Sequence, residues 1–327
     1  MKIGIQLTKN PDKYKYLLSL LKKELTSLDG MEFIHISDDE DLKQKIQSLD
    51  ILTCYHLPEN VYKLTGDKLK WVHFGNAGIE KSMHPSLLNS RTIITNARGI
   101  HAGPVSEFVM GMVLYIAKQF KGCEQFKTDK IWTQWKLARK TMQLNVKTIG
   151  IIGFGAIGKA IAKKAKAFDM KVMAVRRLQK QIEHKKSIDE LLPISKMNYL
   201  LKTSDFVVIA CPLTPDTKNM IGGKELSKMK KSAFIINIAR GEIIEENALI
   251  EALRQKEIAG AALDVFKSEP LPENNPFFGL DNVFLSPHIS GNFPEYQQDV
   301  VLQFADNLNR FKFGKPIKNR VCKKRQY

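Results

Sequence analysis

The sequence predicts an α/β protein with two domains, each built from a parallel sheet with flanking helices. Short apolar runs alternate with helical patterns along the first hundred residues, and the same alternation returns after residue 148 behind a glycine-rich turn. A chain of 327 residues is long enough for two domains that each bury a core. We therefore assign residues 1–100 and 293–327 to one domain, and residues 101–292 to the other.

Composition excludes several classes of protein. Hydrophobic residues make up 43% of the chain and charged residues 26%, as in ordinary globular proteins. The four cysteines show no paired metal-ligand spacing, so we expect no metal site and a reducing, cytoplasmic environment. The chain starts directly on a strand-like run and has no apolar run of the ~18 residues that a membrane span needs. We therefore expect neither export nor membrane insertion.

A formal net charge of +17 has three interpretations. It fits nucleic-acid binding, attraction of anionic ligands, or a lysine-rich surface. The basic residues are scattered over helix faces, although the tail at 311–327 holds seven Lys/Arg and no acid. The sequence contains no helix-turn-helix, zinc-finger or RNA-binding signature. We therefore favour the last two interpretations and do not expect a nucleic-acid partner.

The first domain is predicted from five short apolar runs separated by helical patterns: 3–7, 33–36, 51–55, 71–74 and 93–95. This alternation predicts a parallel, flavodoxin-like sheet with crossover helices. The loops after the fourth and fifth runs, GNAGIEK at 75–81 and NARGIHAGP at 96–104, stand where parallel strands present ligands. Because the domain has no glycine-rich phosphate loop, we interpret it as supplying part of a substrate site.

Residues 101–120 predict a long helix with one apolar face that would carry the chain into the second domain: Val105, Phe108, Val109, Met112, Val113 and Ile116. Residues 121–147 follow as an irregular arm with Trp132 and Trp135 among polar residues. Aromatic residues are enriched at interfaces, so the arm fits docking of a partner subunit. Packing within one subunit is the alternative.

The second domain opens at 148–177 with a predicted strand, glycine turn, helix and strand. The apolar run at 149–152 precedes GFGAIG, which has the G-x-G-x-x-G spacing. In that spacing the first glycine permits the tight turn, the second lets backbone approach a pyrophosphate, and the third allows close helix packing. Helix N-terminal N–H groups then face the phosphates. The sequence therefore predicts a dinucleotide site at Gly153, Phe154, Gly155, Ala156, Ile157 and Gly158.

The tip of the second strand in this domain bears on the choice of cofactor. A fold that selects NAD places Asp or Glu there to hold the ribose 2′-OH, whereas this chain has Arg176 and Arg177. Two guanidinium groups suit a 2′-phosphate, so NADP(H) is favoured over NAD(H). The alternative is that both arginines are solvated charges of a basic protein.

Four further apolar runs raise the predicted strand count of this domain to six: 206–210, 233–237, 261–264 and 283–286. A doubly wound Rossmann sheet of six strands has the order 3-2-1-4-5-6, which places the last three strands beside the nicotinamide end of a dinucleotide. Residues 178–203 hold a further helical pattern and a loop without an assigned role. The final helix, at about 293–311, would return to the first domain.

Each loop after the last three strands holds one reactive side chain: Arg240, Glu269 and His288. Reduction of a 2-oxo acid needs a cation that polarises the ketone and binds the carboxylate, and an acid that protonates the alkoxide. Arg240 suits the first task because its planar fork stays charged, and His288 suits the second. Glu269 would orient the imidazole and raise its pKa. Asp264 ends a strand and fits either a turn cap or, as its position favours, a nicotinamide contact.

Taken singly, these residues also fit structural roles: a surface or capping histidine, an arginine paired with a nearby acid, and a Glu-Pro turn. Their occurrence in three neighbouring loops downstream of a dinucleotide motif favours catalysis.

Five motifs carry a resemblance to a known family: GFGAIG, CPLTPDT, NIARGEIIEENAL, ALDVFKSEPLP and SPHISG. Along essentially its full length, the chain resembles the D-isomer-specific 2-hydroxyacid dehydrogenases. The resemblance implies that Arg240, Glu269 and His288 are catalytic, and that the backbone N–H groups of Ala77 and Gly78 bind the substrate carboxylate. It also implies cofactor contacts by residues of the strand-end loops: Cys211, Pro212, Thr217, Ile238, Ala239 and Gly291.

The family resemblance further implies a homodimer, and the arginine pair is similar to that of NADPH-using glyoxylate and hydroxypyruvate reductase-like members. The leading hypothesis is a cytoplasmic reductase of small 2-oxo acids that yields the D product. The alternative is an NAD(H)-binding, corepressor-like interaction protein on the same scaffold, which the net charge slightly favours and the intact Arg, Glu and His set disfavours. Formate or phosphite oxidation is disfavoured because formate-using relatives lack a glutamate where Glu269 stands.

Overall fold

The computed structural model describes residues 1–185 and 187–325 of the chain. It divides into two compact units, one formed by Met1–Ile100 with Phe293–Tyr327 and the other by His101–Asn292. Gln326 and Tyr327, at the end of the basic tail, lie outside the described residues. Each unit is an α/β structure with a sheet flanked by helices, which confirms the predicted fold class. Within the described part of the chain, none of the helices has the length and apolar character to span a bilayer.

The first unit begins with alternating strands and helices: β1 Lys2–Gln6, α1 Pro11–Glu24, β2 Glu32–His35, α2 Asp39–Lys45, β3 Ile51–Cys54, α3 Glu59–Tyr62, β4 Trp71–Phe74, α4 Pro85–Leu88 and β5 Ile93–Asn96. All strand pairs are parallel, and the strand order is β2-β1-β3-β4-β5. This is the order of flavodoxin-like sheets. The buried residues of β1, β3 and β4 form most of the sheet interior.

The second unit starts with three helices and then a doubly wound sheet: α5 Ala102–Ala117, α6 Phe120–Asp129, α7 Gln134–Ala138, β6 Thr148–Ile152, α8 Ala156–Ala167, β7 Lys171–Arg176, β8 Glu183–Lys185, β9 Ile188–Pro193, α9 Met197–Thr203, β10 Phe206–Ile209, α10 Gly223–Leu226, β11 Phe234–Asn237, α11 Glu246–Arg254, β12 Gly260–Leu263 and β13 Val283–Leu285. The strand order is β13-β12-β11-β10-β6-β7-β9-β8. Neighbouring strands are parallel except for β8 and β9.

The six-strand prediction for this sheet is wrong. Residues 178–203, expected to hold a helix and a loop, contribute two strands, β8 and β9, ahead of α9. β9 pairs with β7, whereas the run expected third in the chain lies beside β6 as β10. The sequence pattern did not predict β9 because Asp189 and Glu190 interrupt its apolar residues. Since the additional strands extend the far edge, β11, β12 and β13 still lie together on the other side of β6.

The helix predicted at 101–120 is shorter in the structure. α5 ends at Ala117, and Gln119 adopts a left-handed conformation with φ +57° before α6 begins at Phe120. The buried face of α5 packs against α8. In the arm that follows, Trp132 is 78% exposed and Trp135 is 71% exposed. The arm therefore presents apolar surface that its own unit does not cover.

The last helix, α12, spans Tyr296–Lys312 and belongs to the first unit. It begins three residues later than predicted, after Pro294. Val300, Phe304 and Leu308 lie on one face of the helix and are fully buried. Phe304 packs on Trp71 of β4 with ring centroids 5.1 Å apart. This helix therefore packs beside α1 on one side of the first sheet.

Candidate active site

The turn between β6 and α8 requires glycine at two positions. Gly153 has φ +104°, and a Cβ atom there would lie 2.7 Å from both the Ala210 carbonyl oxygen and the Cys211 nitrogen. A Cβ atom at Gly158 would lie 2.2 Å from the Gly153 carbonyl oxygen. A side chain at either position would therefore force the backbone apart.

Gly155 faces open space, because no atom lies within 4 Å of a Cβ built there. It precedes α8 without a side-chain cap, so the first N–H groups of the helix, at Ala156 and Ile157, lack intrahelical acceptors. Phe154 is buried in the core cluster beneath the turn, and Ile157 packs against that cluster. Uncapped donors beside an open glycine backbone fit a dinucleotide pyrophosphate.

Arg176 and Arg177 stand at the carboxyl end of β7, and both are exposed. Arg177 Nη1 lies 3.5 Å from Asp216 Oδ2 in the loop after β10. Exposed ion pairs of this kind are weak, so Asp216 competes only slightly with a dianionic phosphate. The strand tip therefore has positive charge where a 2′-phosphate would bind.

The loop after β10 is closed by its own hydrogen bonds. The Thr217 hydroxyl donates to the Pro212 carbonyl at 2.8 Å and accepts from the Thr214 N–H at 2.8 Å. Burial raises the pKa of the Cys211 thiol to about 12, so the thiol stays protonated near neutral pH. These residues are therefore better suited to shaping the site beside the glycine turn than to taking part in the reaction.

Asn237, the last residue of β11, fixes the loop that carries Arg240. Its amide donates to the Arg240 carbonyl at 2.9 Å and accepts from the Ala239 N–H at 3.1 Å. The side chain of Ile238, which lies between Asn237 and Ala239 in the sequence, is buried. A Cβ atom at Gly241 would lie 2.0 Å from the Phe266 carbonyl carbon, so this loop packs directly on the backbone after β12. The sequence analysis assigned no role to Asn237. An amide side chain at the end of an apolar strand could have indicated a residue that fixes the following loop.

Glu269 and His288 form a hydrogen-bonded pair between the loops after β12 and β13. His288 Nδ1 lies 2.7 Å from Glu269 Oε2, and the Phe266 N–H donates to Glu269 Oε1 at 3.0 Å. Burial disfavours the charged carboxylate, but the hydrogen bonds from His288 and Phe266 and the charges of His288 and Arg240 outweigh it and lower the pKa of Glu269. An ionised Glu269 accepts a hydrogen bond from the Nδ1–H of His288, which leaves Nε2 for a substrate oxygen.

Asp264 holds the loop around His288 in place. The carboxylate is fully buried, and it accepts hydrogen bonds from the Ser286 hydroxyl at 2.6 Å, the Ile289 N–H at 2.9 Å and the Ser290 N–H at 3.0 Å. These contacts lie on both sides of His288, whose backbone is left-handed with φ +55°. Asp264 therefore holds the turn around His288, together with Ser286.

His101 contacts the end of the same loop. Its Nδ1 donates to the Gly291 carbonyl at 3.1 Å, and a Cβ atom at Gly291 would lie 2.8 Å from that nitrogen. Burial and the nearby charges of Arg240 and His288 lower the pKa of His101 despite this hydrogen bond. A neutral His101 therefore joins Arg240, Glu269 and His288 in one cluster of the second unit.

In the first unit, two consecutive carbonyls of the loop after β4 accept hydrogen bonds from the end of β5 and the residue after it. The Asn76 carbonyl accepts from the Ala97 N–H at 3.1 Å, and the Ala77 carbonyl accepts from Asn96 Nδ2 at 2.8 Å. Within residues 1–185 and 187–325, no group accepts a hydrogen bond from the N–H of Ala77 or Gly78. Both N–H groups are therefore available to donate to an anion.

Residues 110–290 match the family model described as D-isomer specific 2-hydroxyacid dehydrogenase, NAD binding domain. The chain belongs to the D-isomer-specific 2-hydroxyacid dehydrogenase family. It is an NAD(P)-dependent dehydrogenase, and its cofactor is a nicotinamide dinucleotide. The glycine turn GFGAIG, at 153–158, lies within the matched residues.

Curated relatives cover most of this dehydrogenase. It is 34% identical over 290 residues to the glyoxylate reductase of Thermofilum pendens, and the aligned residues cover 84% of this chain and 83% of the relative. The glyoxylate reductase of Pyrococcus furiosus is 34% identical over 289 residues, with the same coverage of 84% and 83%.

Solved structures share the fold of the dehydrogenase. A family member from Aeromonas salmonicida superposes with a TM-score of 0.82 at 26% identity and covers 98% of this chain and 99% of that one. The NADPH-dependent glyoxylate/hydroxypyruvate reductase of Sinorhizobium meliloti, solved with NADP and sulfate, has a TM-score of 0.84 at 23% identity and covers 100% and 99%.

Proposed function

We propose that this dehydrogenase reduces small 2-oxo acids, glyoxylate and hydroxypyruvate foremost, to 2-hydroxy acids, with the D configuration where the product is chiral and with NADPH as the preferred cofactor. The observation that carries the proposal is the 2.7 Å hydrogen bond between His288 and Glu269, beside the loop of Arg240. The curated relatives named glyoxylate reductase support the substrate class.

The nicotinamide, when bound, supplies or accepts the hydride. The residues of this chain bind and orient the substrate and move the proton. Arg240 binds the carboxylate and polarises the keto oxygen through its planar fork. His288 Nε2 donates a proton to that oxygen as negative charge develops, while Glu269 holds the ring and stabilises the imidazolium. In the oxidative direction, His288 accepts the hydroxyl proton.

The backbone N–H groups of Ala77 and Gly78 complete the recognition of a 2-oxo acid in this proposal. They have no other acceptor within the described residues, and they would donate to the substrate carboxylate. Backbone donors are fixed in position by their own peptide planes, so they bind an anion with little ordering of side chains.

The cofactor contacts in the proposal fall into three groups of residues. The glycine turn from Gly153 to Gly158 would hold the pyrophosphate through backbone N–H groups. Arg176 and Arg177 would hold the 2′-phosphate. The wall beside the dinucleotide would consist of residues from the strand-end loops: Cys211, Pro212, Thr217, Ile238, Ala239 and Gly291. Asp264 would act on the nicotinamide end of the site mainly by holding the His288 loop.

The purified protein is expected to oxidise NADPH in the presence of glyoxylate or hydroxypyruvate, with kcat/KM for NADPH about tenfold above that for NADH, which corresponds to ~1.4 kcal/mol. The measurement is the loss of nicotinamide absorbance with a panel of 2-oxo acids and both cofactors. In a double variant, Arg176→Asp with Arg177→Ser, the preference should reverse because the phosphate ligands are gone.

A wild-type preference for NADH that the double variant leaves unchanged would show that both arginines are solvated surface charges. A protein that binds NADH tightly and reduces none of the 2-oxo acids would instead favour the corepressor-like alternative.

We also propose a cytoplasmic homodimer that uses the arm at 121–147. The support is its exposed apolar surface, with Ile131 at 63% exposure beside Trp132 and Trp135. Light scattering is expected to give twice the monomer mass of 37.2 kDa, and a double Trp132→Ser, Trp135→Ser variant should shift toward monomer. A wild-type mass of one subunit at micromolar concentration would contradict the dimer.

A further inference from the structure

Tyr296, at the start of α12, reaches from the helix to the loop after β4. Its hydroxyl donates a hydrogen bond to the Gly75 carbonyl. Its ring packs edge-on against Phe293 with centroids 5.7 Å apart. Burial, together with the nearby Tyr55 phenol, raises the pKa of Tyr296 far above neutrality, so the hydroxyl keeps its proton and remains a donor.

Gly75 is also held on its other sides. Its N–H donates to the Cys54 carbonyl at 2.8 Å, which continues the pairing of β3 with β4. A Cβ atom at Gly75 would lie 2.8 Å from Cε1 of Tyr55, so the Tyr55 ring lies directly against its Cα. Gly75 is thus fixed by the sheet, by an aromatic ring and by the hydroxyl of Tyr296.

A planar trans peptide points its C=O and its N–H in opposite directions. The bond from Tyr296 to the Gly75 carbonyl therefore sets the direction of the Asn76 N–H. In the same way, the bonds to the Asn76 and Ala77 carbonyls set the directions of the Ala77 and Gly78 N–H groups. Three successive peptides are each held by their oxygen, and Tyr296 holds the first.

We propose that Tyr296 is a positioning residue for substrate recognition, which directs the Asn76 N–H alongside those of Ala77 and Gly78 toward the substrate carboxylate. This inference rests on the proposed 2-oxo acid reductase function. Tyr296 acts through the loop and does not itself supply or accept the reacting proton. Its contribution is therefore to the binding of the carboxylate, before and during the chemical step.

The test is Tyr296→Phe, which removes the hydroxyl and keeps the ring. We expect KM for glyoxylate and the inhibition constant of oxalate to rise about tenfold, the effect of losing one well-placed hydrogen bond. The kcat and the KM for NADPH should stay within about twofold of wild type, because the hydride and proton steps use other residues. The matched control is Tyr62→Phe, which removes a hydroxyl bonded to Thr92 Oγ1 at 2.8 Å in the same unit.

The control variant is expected to lower the midpoint of thermal unfolding without a change in KM. If wild type is active but KM and the oxalate constant stay within twofold in Tyr296→Phe, the inference is overturned while the proposed function stands. An equal rise in KM in Tyr62→Phe would also overturn it, since general loosening of the unit would then explain both variants. A wild-type protein that reduces no 2-oxo acid refutes the proposed function and this inference together.

Discussion

Replacement of His288 by alanine is expected to lower kcat for glyoxylate reduction about 1000-fold, because the proposed proton donor to the developing alkoxide is lost. NADPH binding should change little, since the glycine turn proposed for the pyrophosphate follows a different strand, β6. The loop itself is expected to keep its shape because Asp264 bonds to Ser286, Ile289 and Ser290 rather than to His288. The measurement is steady-state turnover, with NADPH fluorescence for the binding constant.

The matched control is His184→Ala, which removes an imidazole from β8 at the far edge of the same sheet. That variant should retain nearly full kcat. A His288→Ala protein with kcat within tenfold of wild type, and NADPH affinity intact, would remove His288 from the role of general acid.

Replacement of Arg240 by glutamine is expected to lower kcat/KM for 2-oxo acids by about 100- to 1000-fold, since the cation that stabilises the transition-state oxygen is gone. The Arg240→Lys variant keeps the charge without the bidentate fork, and it should recover only part of the loss. Steady-state kinetics with glyoxylate measure both. Full activity of the lysine variant would show that charge alone is needed at this position.

The glutamine variant should also shift the acid limb of the pH–rate profile. The positive charge of Arg240 contributes to the lowered pKa of Glu269, after burial and the hydrogen bonds from His288 and Phe266. Without that charge the pKa of Glu269 rises, so the carboxylate takes up a proton at a higher pH as the solution is acidified. Activity in Arg240→Gln should therefore fall away at a higher pH than in wild type, and an unshifted limb would contradict the electrostatic link.

The fold was predictable where one residue pattern determines one local structure. Buried parallel strands are short apolar runs, so the five strands of the first unit differ from the predicted runs by a single residue at most at either end. GFGAIG likewise marks the strand–turn–helix that β6 and α8 form. β9 was missed because its charged residues, Asp189 and Glu190, break the apolar run. Their hydrogen bonds and ion pairs with Lys166 and Lys171 are visible only in three dimensions.

The residues of the candidate site likewise divide into those that the sequence could predict and those that it could not. Arg240, Glu269 and His288 could be selected from the sequence because loops after neighbouring parallel strands lie at one edge of a sheet. Asn237, Ser286 and Tyr296 were missed, because each acts through a hydrogen bond to backbone or to another polar side chain whose location depends on the folded chain. Asp264 was selected, but its buried bonds to the next loop were not foreseeable from its place at the end of a strand.

The discontinuous first unit has a consequence for synthesis on the ribosome. Its sheet is complete after residue 96, yet the helix that covers Trp71 is translated only after the whole second unit. On that side the nascent sheet is therefore covered by α1 but not by α12 while about 200 residues emerge. We therefore expect chaperones to bind the first hundred residues until α12 has been translated. A fragment of residues 1–100 alone should aggregate unless a peptide of α12 is added in trans.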